Sequence, residues 1–255
     1  MPTDVDVWTA ALESYGTMSF ERVALPTAEL MERGYALYKM QQYIILQDLE
    51  GIRRYPYNAQ FFLQTESQGF RIGSLMKNAD LGKTIRYMID AERKAIAAGK
   101  SRGEGIRAAR DAFYEGEPAR AVDKTDRDLG GLMRYEGLAG YQGRWMAPLH
   151  TTYRSYDIYS PSGWSQAPRM ILALNILETF DLKSLGYMSA DYIHILSQAI
   201  DLAMSDSHKW IGDPDFVKMS ESVAGAPERD RVGHADRARG GSAAVRQLEL
   251  PGHGW

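Results

Sequence analysis

The sequence predicts an α+β protein that is predominantly helical, and three observations carry that expectation. Apolar residues recur at helical spacing in one segment after another, bracketed by capping residues and glycines. Strict alternation is clearest over Thr152–Ser160, which reads as a strand. The 255 residues are 44% hydrophobic and 25% charged, an ordinary balance for a chain long enough to bury a sizeable core.

The elements follow in order. Val7 to Tyr15 reads as a short helix stopped by Gly16, a residue type suited to the position just past a helix end. Ser19 caps the next turn, which Pro26 is expected to interrupt; Thr27 then caps Ala28 to Arg33, and Gly34 ends it. Leu37 to Leu49 carries Tyr38, Ile45 and Leu49 on one side, with Gly51 closing it. Residues 53–79 read as loop-rich, with Pro56, Gly69 and Gly73. A helix starts at Asn78 or Asp80 and runs to about Ala98, with Leu81, Ile85, Met88 and Ile89 as its stripe. A basic, small-residue helix spans Arg102 to Phe113, Gly130-Gly131 is a break, and Glu136 to Tyr141 is a helical turn.

Pro161 ends the strand of 152–160. Met170 to Phe180 is apolar nearly all round, which predicts a buried helix. Ser189 caps the last long helix, Asp191 sits at its positive end, and Tyr192, Ile195, Leu196, Ala199 and Ala203 form its inner face. That periodicity stops at Gly212. Asp213-Pro214-Asp215 then forms a rigid extended turn, because Pro214 fixes its own φ and pushes Asp213 out of the helical region, while Phe216 and Val217 anchor it. Composition changes after Ser220, so residues 1–220 read as one region. Residues 221–255 are a low-complexity Arg, Gly and Ala-rich tail that is not expected to fold alone.

Composition excludes several classes of function. With no cysteine, disulfides, thiolate chemistry and cysteine zinc sites are ruled out. A net charge of −3 gives no field for nucleic acid or a membrane surface, and neither is expected as a partner. No run approaches the roughly 18 apolar residues of a membrane span. The start, Met-Pro-Thr-Asp-Val-Asp, lacks the apolar core of a signal peptide, which places the chain in the cytoplasm if that start is the genuine one.

Candidate chemistry is sparse. His150, His194, His208, His234 and His253 have no metal-ligand spacing, and His194 reads as a hydrogen-bonded core or rim residue. Asp206 and His208 could pair, although a solvated helix end accounts for both. Asp213 and Asp215 could hold a cation, but a turn with side-chain-to-backbone hydrogen bonds is favoured. Ser162 and Ser165 have no obvious base. Gly103-Glu-Gly105 lacks a third glycine and a preceding strand, so it is not a phosphate loop. Arg93, Lys94, Lys100, Arg102, Arg107 and Arg110 make a basic region that Glu92, Glu104 and Asp111 dilute, as on a solvated helix face. Tyr135, Tyr141, Tyr153, Tyr156 and Tyr159 read as packing residues.

Several passages, in collinear order, resemble the large subunit of γ-glutamyltransferases (glutathione hydrolases). These are Tyr15-Gly-Thr-Met18 with a later glycine at Gly34, Gly73 to Leu81, Phe113-Tyr-Glu-Gly116, Gly130-Gly-Leu132, Tyr153-Arg-Ser-Tyr156, Leu174-Asn-Ile-Leu-Glu178 and Gly212-Asp-Pro-Asp-Phe-Val217. Together they cover about residues 8–218. One departure concerns substrate. Where many members carry Pro-Ser-Ser-Gly-Gly, this chain has Pro161-Ser-Gly-Trp-Ser-Gln-Ala-Pro168, similar to distant members whose substrates are other amides.

The resemblance implies a partial large-subunit region of an N-terminal-nucleophile hydrolase of αββα architecture, working without a cofactor. It implies amide cleavage in which a terminal threonine hydroxyl attacks, its own α-amine is the base and backbone N–H groups hold the oxyanion. That threonine would open a small subunit expected beyond Trp255, and an arginine gripping the γ-glutamyl carboxylate is expected before Met1. The implied partners are therefore that small subunit and a small γ-glutamyl or other amide substrate. No catalytic, substrate-binding or metal residue is expected within these residues. Thr151-Thr152 resembles a small-subunit start but sits in a strand setting, and a terminal Pro2 amine is a remote alternative base. The rival readings are a hydrolase of another small amide, a free-standing helical binding module and a truncated product. Apolar surface left for the missing subunit is expected around Met170–Phe180 and Ile193–Ala203.

Overall fold

The computed structural model describes residues 2–161, 165–213 and 215–217, and its contacts divide the chain into two units that meet in sequence between Gly143 and Arg144. The predicted tail 221–255 and Pro214 lie outside the described residues. Within them the predominantly helical α+β architecture holds.

The first unit opens with α1 (Asp4–Tyr15), which stops at Gly16 as predicted. Helix α2 (Phe20–Arg33) starts where Ser19 Oγ accepts from Arg22 N–H at 3.1 Å, but it does not break at Pro26. Pro26 and Arg22 are both exposed, so the carbonyl left without its helical donor is open to water, and buried Ala28 holds the helix to its neighbours. Strand β1 (Tyr35–Ala36) leads to α3 (Lys39–Gln47) and α4 (Leu49–Arg54). The single helix predicted over 37–49 is therefore split. Asp48 leaves helical geometry at φ −136°, ψ 49°, and its carboxylate caps α4 through Gly51 N–H at 3.0 Å. Gly51 thus lies in the first turn of a helix rather than ending one, and its lack of a Cβ, which would lie 2.6 Å from the Asp48 carboxyl carbon, leaves room for that cap. Tyr38, predicted on the inner side, precedes α3 and is exposed.

The loop-rich reading of 53–79 also needs correction. Pro56 opens α5 (Pro56–Phe62), where its missing N–H costs nothing, and β2 (Leu75–Met76) pairs antiparallel with β1 in the register Tyr35 opposite Met76. Asn78 then caps α6 (Ala79–Ala97), whose Met88, Ile89 and Ala95 are buried. Helix α7 (Arg102–Tyr114) follows with a reciprocal Ser101–Glu104 capping box. Helices α6 and α7 approach closely at Gly105, where a Cβ would sit 2.9 Å from Ile96 Cδ1. Helix α8 (Glu117–Asp128) carries too little apolar surface to signal itself. It is held by Ala119 and Val122 inside and by Lys124–Asp128 and Asp123–Arg127 pairs at 2.7 and 2.9 Å outside. The turn α9 (Tyr135–Ala139) buries Leu138.

The second unit begins with a hairpin, not the single strand predicted over 152–160. Strands β3 (Leu149–Tyr153) and β4 (Tyr156–Ser160) pair antiparallel, with Tyr153 opposite Tyr156. The two-residue turn Arg154-Ser155 has φ of 47° and 73°, the positive values of a hairpin turn, but lacks the Asn or Gly that announces one. Helices α10 (Ala167–Leu177) and α11 (Ala190–Trp210) complete the unit. Their core gathers Ile176, Leu177, Leu182, Ile195 and Ala199, each large apolar member contributing about 1.5–3 kcal/mol by burial.

Candidate functional site

The residues weighed from sequence do not converge. Thr151 lies in β3 and donates its hydroxyl to Asn175 Oδ1 at 2.7 Å, while Thr152 beside it is exposed. His150 Nε2 pairs with Asp157 Oδ1 at 2.7 Å across the hairpin, and its ring packs on Tyr159. The Pro2 carbonyl accepts from Tyr114 Oη at 2.7 Å. His194 sits on the exposed side of α11, not in the core or rim environment predicted for it, because Ile195 rather than its neighbour takes the buried position. Asp206 and His208 lie on the last turns of α11, with His208 exposed. Ser165 Oγ accepts from Ala167 N–H and donates to the Pro161 carbonyl. Ser162, Trp164, His234 and His253 lie outside the described residues. No group of three or more His, Asp or Glu side chains that could hold a metal ion occurs among the described residues. No helix there is long and apolar enough to cross a membrane.

The basic region is largely consumed internally. Arg93 makes two bonds to Glu21, Arg107 meets Glu13 at 2.9 Å, and Arg102 gives its guanidinium to the carbonyls of Leu12, Glu13 and Met18 around the end of α1. That last set complements the negative end of α1. Arg110 is nearly buried. It bonds Asp6, Asp111 and the Tyr141 carbonyl, while the other Asp6 oxygen accepts Gly143 N–H at 3.0 Å. Most of these charges serve to hold α1, α2, α6 and α7 together. Tyr135, Tyr141 and Tyr153 pack as predicted, whereas Tyr156 and Tyr159 remain more than half exposed.

The feature with functional geometry is an apolar groove between α10 and α11. Ala199 and Ala203, four residues apart, let α11 approach α10 closely. Turned off that contact, Leu196, Ile200 and Met204 form one wall; Met170, Ala173, Leu174 and Leu177 form the other. The groove holds about 300 Å³, with Arg169 as its charged member. Arg169 is tied down, its Nε donating to buried Ser207 Oγ at 2.6 Å. Met170, Ile193 and Ile200 are 46%, 44% and 46% exposed, while Ile171, Leu172, Ile176 and Leu177 are buried, so the helix predicted to be buried over 170–180 is buried on one side. The hairpin braces the back of α10 through Thr151–Asn175 and through Arg154 N–H to Glu178 Oε1 at 3.0 Å. A surface of this kind, lined mostly by aliphatic side chains, can bury another polypeptide.

Comparison with known proteins gives the same frame. The family model described as Gamma-glutamyltranspeptidase matches residues 1–235. The glutathione hydrolase proenzyme of Escherichia coli K12 is 29% identical over 223 residues, which is 86% of this chain and 35% of that protein. The acylase ACY 1 proenzyme of Pseudomonas sp. SE83 is 30% identical over 220 residues, 86% of this chain and 36% of its own length. Among solved structures, Helicobacter pylori gamma-glutamyltranspeptidase superposes with a TM-score of 0.71 at 29% identity, covering 85% of this chain and 58% of that one. The chain thus spans about a third of the length of the curated relatives it matches.

Proposed function

This chain belongs to the gamma-glutamyltranspeptidase family, and from that premise we propose that it is a large-subunit region of a γ-glutamyl amide hydrolase or transferase whose threonine nucleophile lies outside it. The observation that carries the reading is the family match over residues 1–235 of a chain that spans about a third of its relatives' length, and the half-exposed apolar groove on α10 and α11 supports it. A threonine-led small subunit would cover that groove, and the helices would support the walls of a site whose reacting atoms the partner supplies. Chemistry of this type needs a terminal hydroxyl and amine on one residue.

A second reading has its own support. The Trp164-Ser-Gln166 sequence replaces the small, glycine-rich run of many members, and a relative of similar identity carries the name acylase. The substrate would then be another small amide. A free-standing, non-catalytic helical module remains the contrasting proposal.

The experiment is reconstitution. The chain, alone and mixed with a threonine-led polypeptide corresponding to the remainder of its relatives, is assayed against a γ-glutamyl anilide and a panel of acyl amides. Turnover only in the mixture supports the proposal, and the better substrate class separates its two forms. Turnover by the pure chain alone overturns it, and binding of neither partner nor substrate favours the non-catalytic module.

A further inference from the structure

The turn after α11 contains two aspartates with different tasks. Asp213 builds the turn: its Oδ1 accepts Asp215 N–H at 2.9 Å, and its carbonyl accepts Phe216 N–H at 2.9 Å and Val217 N–H at 2.8 Å. Asp215 faces away from the turn. Its two carboxylate oxygens each take one terminal nitrogen of Arg144, at 2.9 and 2.8 Å. Such a two-bond grip fixes orientation as well as distance. The Arg144 guanidinium in turn holds the Asp215 carboxyl below the usual range. With both carboxylates so engaged, the cation site weighed from the sequence is not what this pair of acids forms.

We propose that Asp215 is a positioning residue which, through Arg144, fixes the direction in which the chain leaves α11 by tying that exit to the first residue of the second unit, 71 positions earlier. Helix α11 ends at Trp210 and Ile211 is already extended, so helical hydrogen bonding no longer sets the bearing of the residues that follow. Asp213 closes the turn locally and Asp215 gives it a fixed bearing. The inference does not depend on the catalytic reading above.

Amide hydrogen exchange on the 255-residue chain tests it. Asp215→Asn and Arg144→Gln should each lower the protection of Phe216 and Val217 about two- to fivefold, after correction for intrinsic rates, the range an exposed ion pair commands. The double variant should fall short of the sum of the two single effects, because the Arg144–Asp215 pair is lost in both, while Arg144 also feels the Asp213 charge. The charge-swapped pair Arg144→Asp with Asp215→Arg should restore protection, which a general loss of stability could not. Wild-type protection should also fall in 1 M salt. Unchanged exchange in either single variant, additive effects, or failure of the swapped pair to recover would overturn the proposal.

Discussion

Glu92 stands on α6, yet both of its carboxylate oxygens belong to α2, where they accept Phe20 N–H at 2.7 Å and Glu21 N–H at 2.6 Å. The first amides of a helix have no partner within it, and here a buried side chain 72 residues away supplies them. Ser19 satisfies a third. The Glu92 side chain also packs its Cγ beside Gly105 of α7, so one side chain on α6 touches both neighbouring helices.

Glu92→Ala should therefore destabilise the chain by about 2–4 kcal/mol, the combined cost of a lost cap and buried donors left unpaired. Glu92→Gln keeps one acceptor oxygen and should cost about half as much. Chemical denaturation read by far-ultraviolet dichroism checks both; a change under about 0.5 kcal/mol for the alanine variant would show that water replaces the carboxylate.

Tyr114 gives a prediction at alkaline pH. Its ring is fully buried, and its hydroxyl donates to the Pro2 carbonyl and accepts Asp6 N–H at 3.2 Å. Desolvation by burial raises its pKa, with the Asp6 charge adding to the shift and the Asp6 amide opposing it. The unfolded phenol ionises near pH 10. A folded pKa above the unfolded one means that this contribution is fully present below about pH 10 and is lost as pH rises toward the folded value. Stability should fall above pH 10 in the wild type and fall less in Tyr114→Phe. At neutral pH that variant should cost about 1–2 kcal/mol for two broken hydrogen bonds. Denaturant midpoints at pH 7, 9.5 and 11 measure both effects.

The hairpin turn is a place where sequence and conformation disagree. Arg154 and Ser155 both hold positive φ, which L-residues with a Cβ adopt at a cost. Ser155→Gly, or the pair changed to Asn-Gly, should stabilise the second unit by about 0.4–1 kcal/mol while leaving the first untouched. Exchange protection of the β3–β4 amides is the readout, and no gain would mean that the Arg154 contacts with Glu178 and Phe180 outweigh the backbone strain.

Same-face periodicity and caps made most helices legible: Asn78, Ser19 and Ser189 cap as their positions imply, and Ile195, Ala199 and Ala203 are inside. What stayed hidden depends on partners distant in sequence. Pro26 looks like a break until its exposure is known, and Gly51 looks like a terminator until Asp48 is seen to cap through it. Arg154-Ser155 gives no turn signal because neither residue is the Asn or Gly that takes positive φ readily. Helix α8 hides because its stability resides in ion pairs and two small apolar contacts. For the site, the apolar excess of 170–203 was visible in the residues. Its division into a buried face and an open groove was not, since that follows from how closely two alanines let α11 approach α10.

The groove itself gives the last prediction. Leu196 and Ile200 lie on the wall contributed by α11, and Ile200 is nearly half exposed, so a lysine there can reach water without disturbing the core. Ile200→Lys should leave the denaturation midpoint within about 0.5 kcal/mol of wild type, the usual range for a surface change. It should nevertheless weaken binding of an apolar reporter dye and of the proposed threonine-led partner at least tenfold, because a charge placed in an apolar interface loses its hydration on association. Ala203→Lys serves as the contrast. Ala203 is 1% exposed and faces α10, so its replacement should unfold the second unit rather than block docking. Partner binding that survives Ile200→Lys would place the contact elsewhere on the chain. Loss of binding together with loss of folded signal would mean that the groove is part of the core.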